Sequence, residues 1–468
     1  MEIVQFVTEA LGDASYLAVS GVDAAVVDPQ RDVRPYVAAA EARGARITRV
    51  FETHVHNDYI SGGPELAALG AEIVAPADAG LRFAHRPAAD GDEIAIGAAR
   101  VRAVAAPGHT HHHTAYLALD EDGAVAAAFT GGSIIIGGAG RTDLLGPEDT
   151  EALTRLQWES AQRIAHLLPE HAELLPTHGA GSFCSSQSSG GERRAALAVE
   201  RPRNIVLSSP DFETFRVLHL TNPGPIPAYY PRMAPINREG PRLYGLEPPR
   251  PALLNPSDLM RALDAATPLV DVRDRHAFAA GHVPGSLSIE EGDATLAYVG
   301  WLLPFNAALV LITEDAVQAD RMTVDLRRIG YEEVRGYLPF AGWRAAGHPV
   351  ARLDVVDRAT AARTLAAGDT PVYDVRFDSD ARTLALPGAE RRPIDRAREW
   401  LPTVADDELL VTCAGGSRAA TVASMLEAAG RHPRVLIDGG AEDLVQAPRA
   451  PQGQAEGTTP PTVGAPVR

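Results

Sequence analysis

Over residues 1 to about 245 the apolar residues fall in short runs, AAVVDP, ITRVFE, EIVAP, RVRAVAAP, AVAAAFTGG and AELLPTH, closed by glycine, proline or a polar residue. Short runs bounded in this way predict buried strands. Between them lie stretches with helical spacing, such as Glu151 to Leu168. The alternation predicts an α/β unit over residues 1–245. The next segment, GPRLYGLEPPRPALLNP, is rich in proline and ends in Asn-Pro-Ser-Asp. It predicts a linker over 246–256 and a helix that starts at Ser257.

Beyond the linker the pattern repeats. Residues 257–350 read as helix (DLMRALDA), strand (PLVDVR), strand (ALVLIT), helix (ADRMTVDLRRIG) and strand (EEVRGY). Residues 354–447 return the same order in ATAARTLAAG, PVYDVR, ELLVTC, RAATVASMLEAAG and RVLIDGG. The chain therefore holds an internal duplication of an α/β unit of roughly 100 residues. Residues 448–468 are too poor in large apolar groups to build a core and are expected to be a disordered tail.

Composition narrows the function. A chain of 468 residues suggests about three domains. Hydrophobic residues make up 45% and no apolar stretch approaches the roughly 20 residues of a membrane helix, so no membrane partner is expected. The start, MEIVQFVTEALGDASYLAV, shows no basic leader before an apolar block, and a cytoplasmic location is the expectation. A net charge of −18 argues against nucleic acid as a partner, because binding its phosphates needs clustered positive charge. Small molecules or proteins are the expected partners, and a homodimer is left open. All 43 basic residues are Arg, which excludes Schiff-base chemistry on lysine. The two cysteines, Cys184 and Cys413, lie far apart and suggest reduced thiols.

Strand ELLVTC runs directly into Cys413-Ala414-Gly415-Gly416-Ser417-Arg418, after which a helix begins. The Cys413 sulfur is thereby expected inside a ring of backbone N–H groups at a helix N-terminus, where an anion is favoured and a thiolate results. A structural cysteine has no need of two following glycines and a closing arginine. Here the chain resembles the rhodanese family, in DVR at Asp374 to Arg376, in a degenerate LALPGAE, and in the loop from Cys413 to Arg418. The resemblance implies that Cys413 accepts a sulfane sulfur as a persulfide, that Ala414, Gly415, Gly416 and Ser417 bind the substrate, and that Arg418 holds the charge. The first copy keeps DVRDRHAFAAGHVPGS from Asp271 to Ser286, but reads TEDAVQADR in place of the thiol loop. It is expected to be inactive, an interface or spacer.

The N-terminal unit carries a second constellation. Thr53-His54-Val55-His56-Asn57-Asp58-Tyr59 follows one strand, Gly108-His109-Thr110 another, and Thr177-His178-Gly179 a third. Histidines at the ends of neighbouring strands converge, and an HxH pair suits a first-row metal such as zinc or iron. The run His111, His112, His113 is weaker and reads as loop or supporting residues. Cys184, in a Ser/Gly-rich loop, reads as turn filler. With THVHNDYISGG, PGHT, FTGGSIIIGGAGRTDLLG and PAYYPRMAPINREGP, the unit resembles the metallo-β-lactamase superfamily, in its persulfide dioxygenase and glyoxalase II branch. The implied fold is an αββα sandwich followed by two rhodanese-like α/β domains. The implied metal residues are His54, His56 and His109 at a first site, with Asp58 and His178 on the second-site side. Asp143 would order the loop beside them.

Two departures bear on the metal. Tyr59 stands where the family has a histidine, and Gly132 where it has the aspartate of TGD, and both losses fall on a binuclear arrangement. A hydrolase that shares hydroxide between two zinc ions needs that carboxylate. The expectation is therefore one Fe(II) per chain, with Zn as the alternative, and a persulfide dioxygenase-like activity joined to sulfur transfer at Cys413. The expected substrates are a low-molecular-weight thiol persulfide, thiosulfate or sulfite. A glyoxalase II-like thioester hydrolase, and a sulfurtransferase with a non-catalytic metal domain, are the rival readings.

Overall fold

The computed structural model describes residues 1–120, 122–186 and 191–446. The tail expected over 448–468 lies outside the described residues. The N-terminal unit stacks two six-stranded sheets. The first follows sequence order through β1 (Glu2–Thr8), β2 (Asp13–Ser20), β3 (Asp23–Val27), β4 (Arg46–Phe51), β5 (Glu72–Pro76) and β6 (Arg86–Ala88). The second does the same through β7 (Glu93–Ile96), β8 (Ala99–Ala105), β9 (Thr114–Leu119), β10 (Val125–Gly131), β11 (Glu173–Pro176) and β12 (Ala195–Ala196).

Their facing sides form one core, with Tyr16, Val27, Phe51 and Val74 meeting Val101, Tyr116, Phe129 and Leu175. The outer face of the first sheet is covered by helices Arg34–Glu41 and Gly63–Ala68, through Tyr36 and Leu66. The outer face of the second is covered by helices Pro147–Leu167 and Phe212–Leu220, through Ala161, Ile164 and Phe215. This is the αββα sandwich. Strand β9, TAYLAL, is buried at every position because it lies between these two layers, which erases the alternation that marks a half-exposed strand. The helix expected from Glu151 begins at Pro147, where proline is suited to a first turn.

Strands β3, β4 and β5 pair in parallel. In the second sheet β8 and β10 both run antiparallel to β9, and β11 is parallel to β10. The C-terminal ends of several strands thus meet at one edge, where His54, His56 and His178 follow β4 and β11.

The two C-terminal units repeat one topology. The first holds β13 (Leu269–Asp271), β14 (Leu287–Ser288), β15 (Leu309–Thr313) and β16 (Val334–Pro339) in the order β14-β13-β15-β16. The second holds β17 (Asp354–Val355), β18 (Val372–Asp374), β19 (Glu390–Arg391), β20 (Glu408–Thr412) and β21 (His432–Val435) in the order β17-β21-β20-β18-β19. Reading β19-β18-β20-β21 against β14-β13-β15-β16 recovers the duplication. Both copies bury the same Asp–Arg fork, Asp271 to Arg273 and Asp374 to Arg376, each with contacts of 2.9 and 2.7 Å. The helix expected at Ser257 starts one residue earlier, at Pro256, because Asn255 and Asp258 close a reciprocal capping box.

The three units share a core. Leu11, Tyr59, Ile60, Cys184, Tyr229 and Tyr230 of the first pack in one cluster with Trp301 of the second and Cys413 of the third. The Ile60 amide donates to the Arg328 carbonyl at 2.7 Å, and Arg328 pairs with Asp32 at 2.6 Å. The residues that lead into the linker are tied down as well, since the Tyr244 and Gly245 amides donate to the Glu65 carboxylate. Among the described residues, no helix is long and apolar enough to cross a membrane.

Gly300, in the fully buried helix Thr295–Leu302, marks the closest approach of this helix to the N-terminal unit: a Cβ there would lie 2.4 Å from the Tyr229 ring. Gly300→Leu should therefore destabilise the chain by about 1–3 kcal/mol through overpacking, read as a lower denaturant midpoint at unchanged slope.

Candidate functional site

Asp28, at the end of β3, is fully buried with φ 48°, a left-handed conformation that aspartate tolerates better than most residues. Its carboxylate accepts the Thr53 amide at 2.7 Å, the Thr53 hydroxyl at 2.8 Å and the Thr177 hydroxyl. It also faces His56 Nε2 at 3.2 Å. One carboxylate therefore pins the ends of β3, β4 and β11, the two latter carrying the histidines.

His54, His56, His109 and His178 each have one ring nitrogen tied. His54 Nδ1 lies 2.9 Å from Thr53 Oγ1, whose proton goes to Asp28. His109 Nδ1 donates to the Arg141 carbonyl at 2.7 Å. His178 Nδ1 faces Asp13 at 3.0 Å and Asp58 at 3.2 Å. His56 Nε2 faces Asp28, Glu52 at 3.4 Å and the Tyr59 hydroxyl at 3.0 Å. The other nitrogens are left over. His109 Nε2 and His56 Nδ1 are buried without a hydrogen bond, as are both oxygens of Asp58, and His54 Nε2 faces His178 Nε2 at 3.4 Å. A fixed ring with a free lone pair is how proteins present histidine to a metal.

One donor atom each from His54, His109 and His178 lies within 4.8 Å of the others, and the same holds for His56, Asp58 and His178. The expected grouping changes accordingly: His178 joins His54 and His109, while His56 stands with Asp58 on one side and with Asp28 and Glu52 on the other. The residues fit a metal ion. Burial and the neighbouring imidazoles push His54 and His109 well below the usual histidine range, so both are neutral. Burial would also lower His178, but the Asp58 and Asp13 carboxylates override it and hold it at about 10. His56 is likewise lowered by burial and raised to about 10 by Asp28 and Glu52.

Gly132 has a steric reason. A Cβ there would meet His109 Cδ2 at 2.3 Å, and a Cβ at Gly131 would meet His113 Nε2 and Thr53 Oγ1, each at 2.5 Å. The His109 ring occupies the space of the missing carboxylate. Of the histidine run, His113 is buried and accepts the Gly132 amide at 3.0 Å, whereas His111 sits outside beside Asp149. Asp143 pairs with Arg141 at 2.7 Å and so steadies the carbonyl that orients His109. Cys184 is fully buried with its sulfur 3.6 Å from the Tyr230 hydroxyl, a packing role.

In the third unit the loop brings one backbone amide to the Cys413 sulfur. The Gly416 amide donates to Cys413 Sγ at 3.0 Å, just before the twelve-residue helix Ser417–Ala428. Gly416 has φ 102°, and a Cβ there would lie 2.0 Å from the Ile437 carbonyl oxygen, so glycine is required. Cys413, Gly415, Ser417 and Arg418 line a cleft of about 370 Å³ together with Tyr298, Phe377 and Asp380. Ala414 is exposed and is not among these lining residues. Arg418 is engaged by Asp380 at 2.6 Å and lies over the Phe377 ring at 4.7 Å. In the first copy the corresponding turn is shorter, and Asp315 caps helix Ala316–Arg328 with its own carboxylate. That copy brings its own anion to the helix end where the other presents a thiol.

Asp28, Asp13 and Glu52 carry no motif signal beyond a carboxylate beside a strand end, in VVDP, LGD and FETH. Tyr298 is reached from another unit and has no local signal at all.

Gly132→Asp should leave the metal content at about one per chain and lower stability, since His109 must move; elemental analysis and denaturation read both. Apparent metal affinity should fall as pH drops below about 10, because protons compete at His178 and His56; chelator competition across pH checks the sign.

Comparison with known proteins agrees with this architecture. A family profile for the rhodanese-like domain matches residues 255–339. Hydroxyacylglutathione hydrolase of Rhodospirillum rubrum is 33% identical over 186 residues, covering 39% of this chain and 64% of the relative. The same-named protein of Rhodopseudomonas palustris strain BisB18 is 33% identical over 208 residues, covering 44% of this chain and 71% of the relative. The crystal structure of a metallo-beta-lactamase from Staphylococcus aureus subsp. aureus COL is similar with a TM-score of 0.63 and 27% identity, covering 72% of this chain and 98% of that one. The chain belongs to the metallo-β-lactamase-fold family that includes the hydroxyacylglutathione hydrolases, and it joins that fold to a rhodanese-like domain.

Proposed function

We propose that the chain handles sulfane sulfur at two centres, a sulfurtransferase thiol at Cys413 and a single-metal site in the N-terminal unit that serves persulfide oxidation by dioxygen. The observation that carries the reading is the Gly416 amide 3.0 Å from Cys413 Sγ, at the start of a long helix and at the wall of an open cleft. Donors aimed at a sulfur stabilise it as an anion, both as the attacking thiolate and as the persulfide that it becomes. Arg418 and Asp380 border the cleft, and Gly415 leaves the approach to the sulfur unobstructed.

In the N-terminal unit His54, His109 and His178 would hold the metal, with His56 and Asp58 beside them. Iron bound there would supply dioxygen chemistry at the terminal sulfur of a low-molecular-weight thiol persulfide. The chain's own residues fix the geometry: Asp28 through Thr53 orients His54, the Arg141 carbonyl orients His109, and Asp13 orients His178. Tyr229, Tyr230 and Cys184 pack in the apolar cluster that reaches this end and exclude water from it.

The names of the relatives favour a second reading, thioester hydrolysis. The space taken by the His109 ring at Gly132 weighs against the two-metal form of that chemistry.

Metal analysis of protein purified without added metal, with oxygen uptake on a thiol persulfide, separates the two. About one iron per chain with persulfide-dependent uptake supports oxidation; zinc with thioester turnover and no uptake supports hydrolysis. Cys413→Ser should abolish sulfur transfer to a thiol acceptor while leaving metal content unchanged, and retained transfer would sink the role given to Cys413.

A further inference from the structure

The cleft at Cys413 has two charged walls, and they cancel. Arg418, the residue whose guanidinium would receive an anionic donor, is paired with Asp380 at 2.6 Å, and its side chain is only 13% exposed. It also lies flat over Phe377. The remaining walls are aromatic. Phe377 comes from the same unit, and Tyr298 from the thiol-less copy, on the helix whose Trp301 packs against Phe377 at 5.3 Å between ring centres. Phe183 of the N-terminal unit closes this group against Trp301 at 5.4 Å. The Asp380 segment is held from outside too, since Asn222 of the N-terminal unit donates to the Ser379 carbonyl and accepts from Arg382.

We infer that Cys413 takes its sulfur from an organic persulfide and discriminates against thiosulfate, with Asp380 as the discriminating residue and Tyr298 and Phe377 as the wall that receives the donor's carbon portion. The inference rests on the sulfurtransferase reading above and names its substrate class. Thiosulfate must bring two negative charges beside a carboxylate, with the Gly416 amide and a helix end as the unspent positive potential, and burying charge without a partner is costly. An alkyl or aryl persulfide brings at most one charge, on the sulfur beside the Gly416 amide, and an apolar remainder suited to aromatic rings.

The step balances without an oxidant. The Cys413 thiolate attacks the outer sulfur of RSSH, forming a new S–S bond. The S–S bond of the donor breaks with its electron pair left on RS, which takes the proton that the persulfide carried. The products are the Cys413 persulfide anion and RSH. With thiosulfate the same attack must expel sulfite dianion past Asp380.

The test uses the full chain, exposed separately to benzyl persulfide and to thiosulfate, with mass detection of one added sulfur atom on Cys413. Wild type should react with the persulfide at least about tenfold faster. Asp380→Asn, which frees Arg418, should raise the thiosulfate rate by about tenfold and narrow the persulfide-to-thiosulfate ratio by a similar factor. Asp380→Ser should behave alike and guards against a folding defect peculiar to one variant. Thiosulfate matching the persulfide in wild type, or a donor ratio unmoved in both variants, would overturn the inference. No sulfur gain from either donor would overturn the sulfurtransferase reading itself, and this inference with it.

Discussion

Asp28 is a carboxylate without access to water, and such a group persists only when donors surround it. Burial would raise it, yet His56 and the bonds from Thr177 and Thr53 hold it below the usual carboxylate range. Its partners come from the ends of β4 and β11, which belong to different sheets. Meeting the needs of one charge therefore fixes the distance between the sheets at the edge where His54, His56 and His178 emerge. Loss of this anchor would leave the imidazoles present but unaimed, and a misaimed ligand set holds metal poorly.

The duplicated units show the same economy of position. Both keep the buried Asp–Arg fork that ties the first strand to its loop, so both keep the fold. They part at one turn. Where one has Cys413 and two glycines before its helix, the other has Asp315, whose carboxylate accepts the Gln318 amide at the helix start. Yet the thiol-less copy is more than the spacer its sequence suggests, because Tyr298 stands in the wall of its sibling's cleft.

Much of this was legible in the sequence. The strand–loop–helix sense of ELLVTC-AGGSR, the linker, the duplication and the histidines after strand ends all follow from local pattern and chemistry. What was not legible depends on contacts between distant segments. Strands β1 and β2 lie in a stretch read for the lack of a leader, and β9 is buried on both faces, so neither showed a clean period. Gly132 reads as a loss in sequence, and its meaning emerges only with the His109 ring in the same space. The choice of which nitrogen each histidine offers is set by Arg141, Asp13 and Thr53, and no spacing rule carries that. Arg418 looked like a free cation because Asp380, thirty-eight positions away, was invisible beside it.

The amide of Ile60 finds its carbonyl on Arg328, and Arg31 finds its carboxylate on Glu332. During synthesis the N-terminal sandwich leaves the ribosome long before those partners exist. The loop that carries His56 and Asp58 thus reaches its final form late, after helix Ala316–Arg328 has been made and docked. A fragment ending at the linker would lack the carbonyl that the Ile60 amide needs and the carboxylate that Arg31 meets.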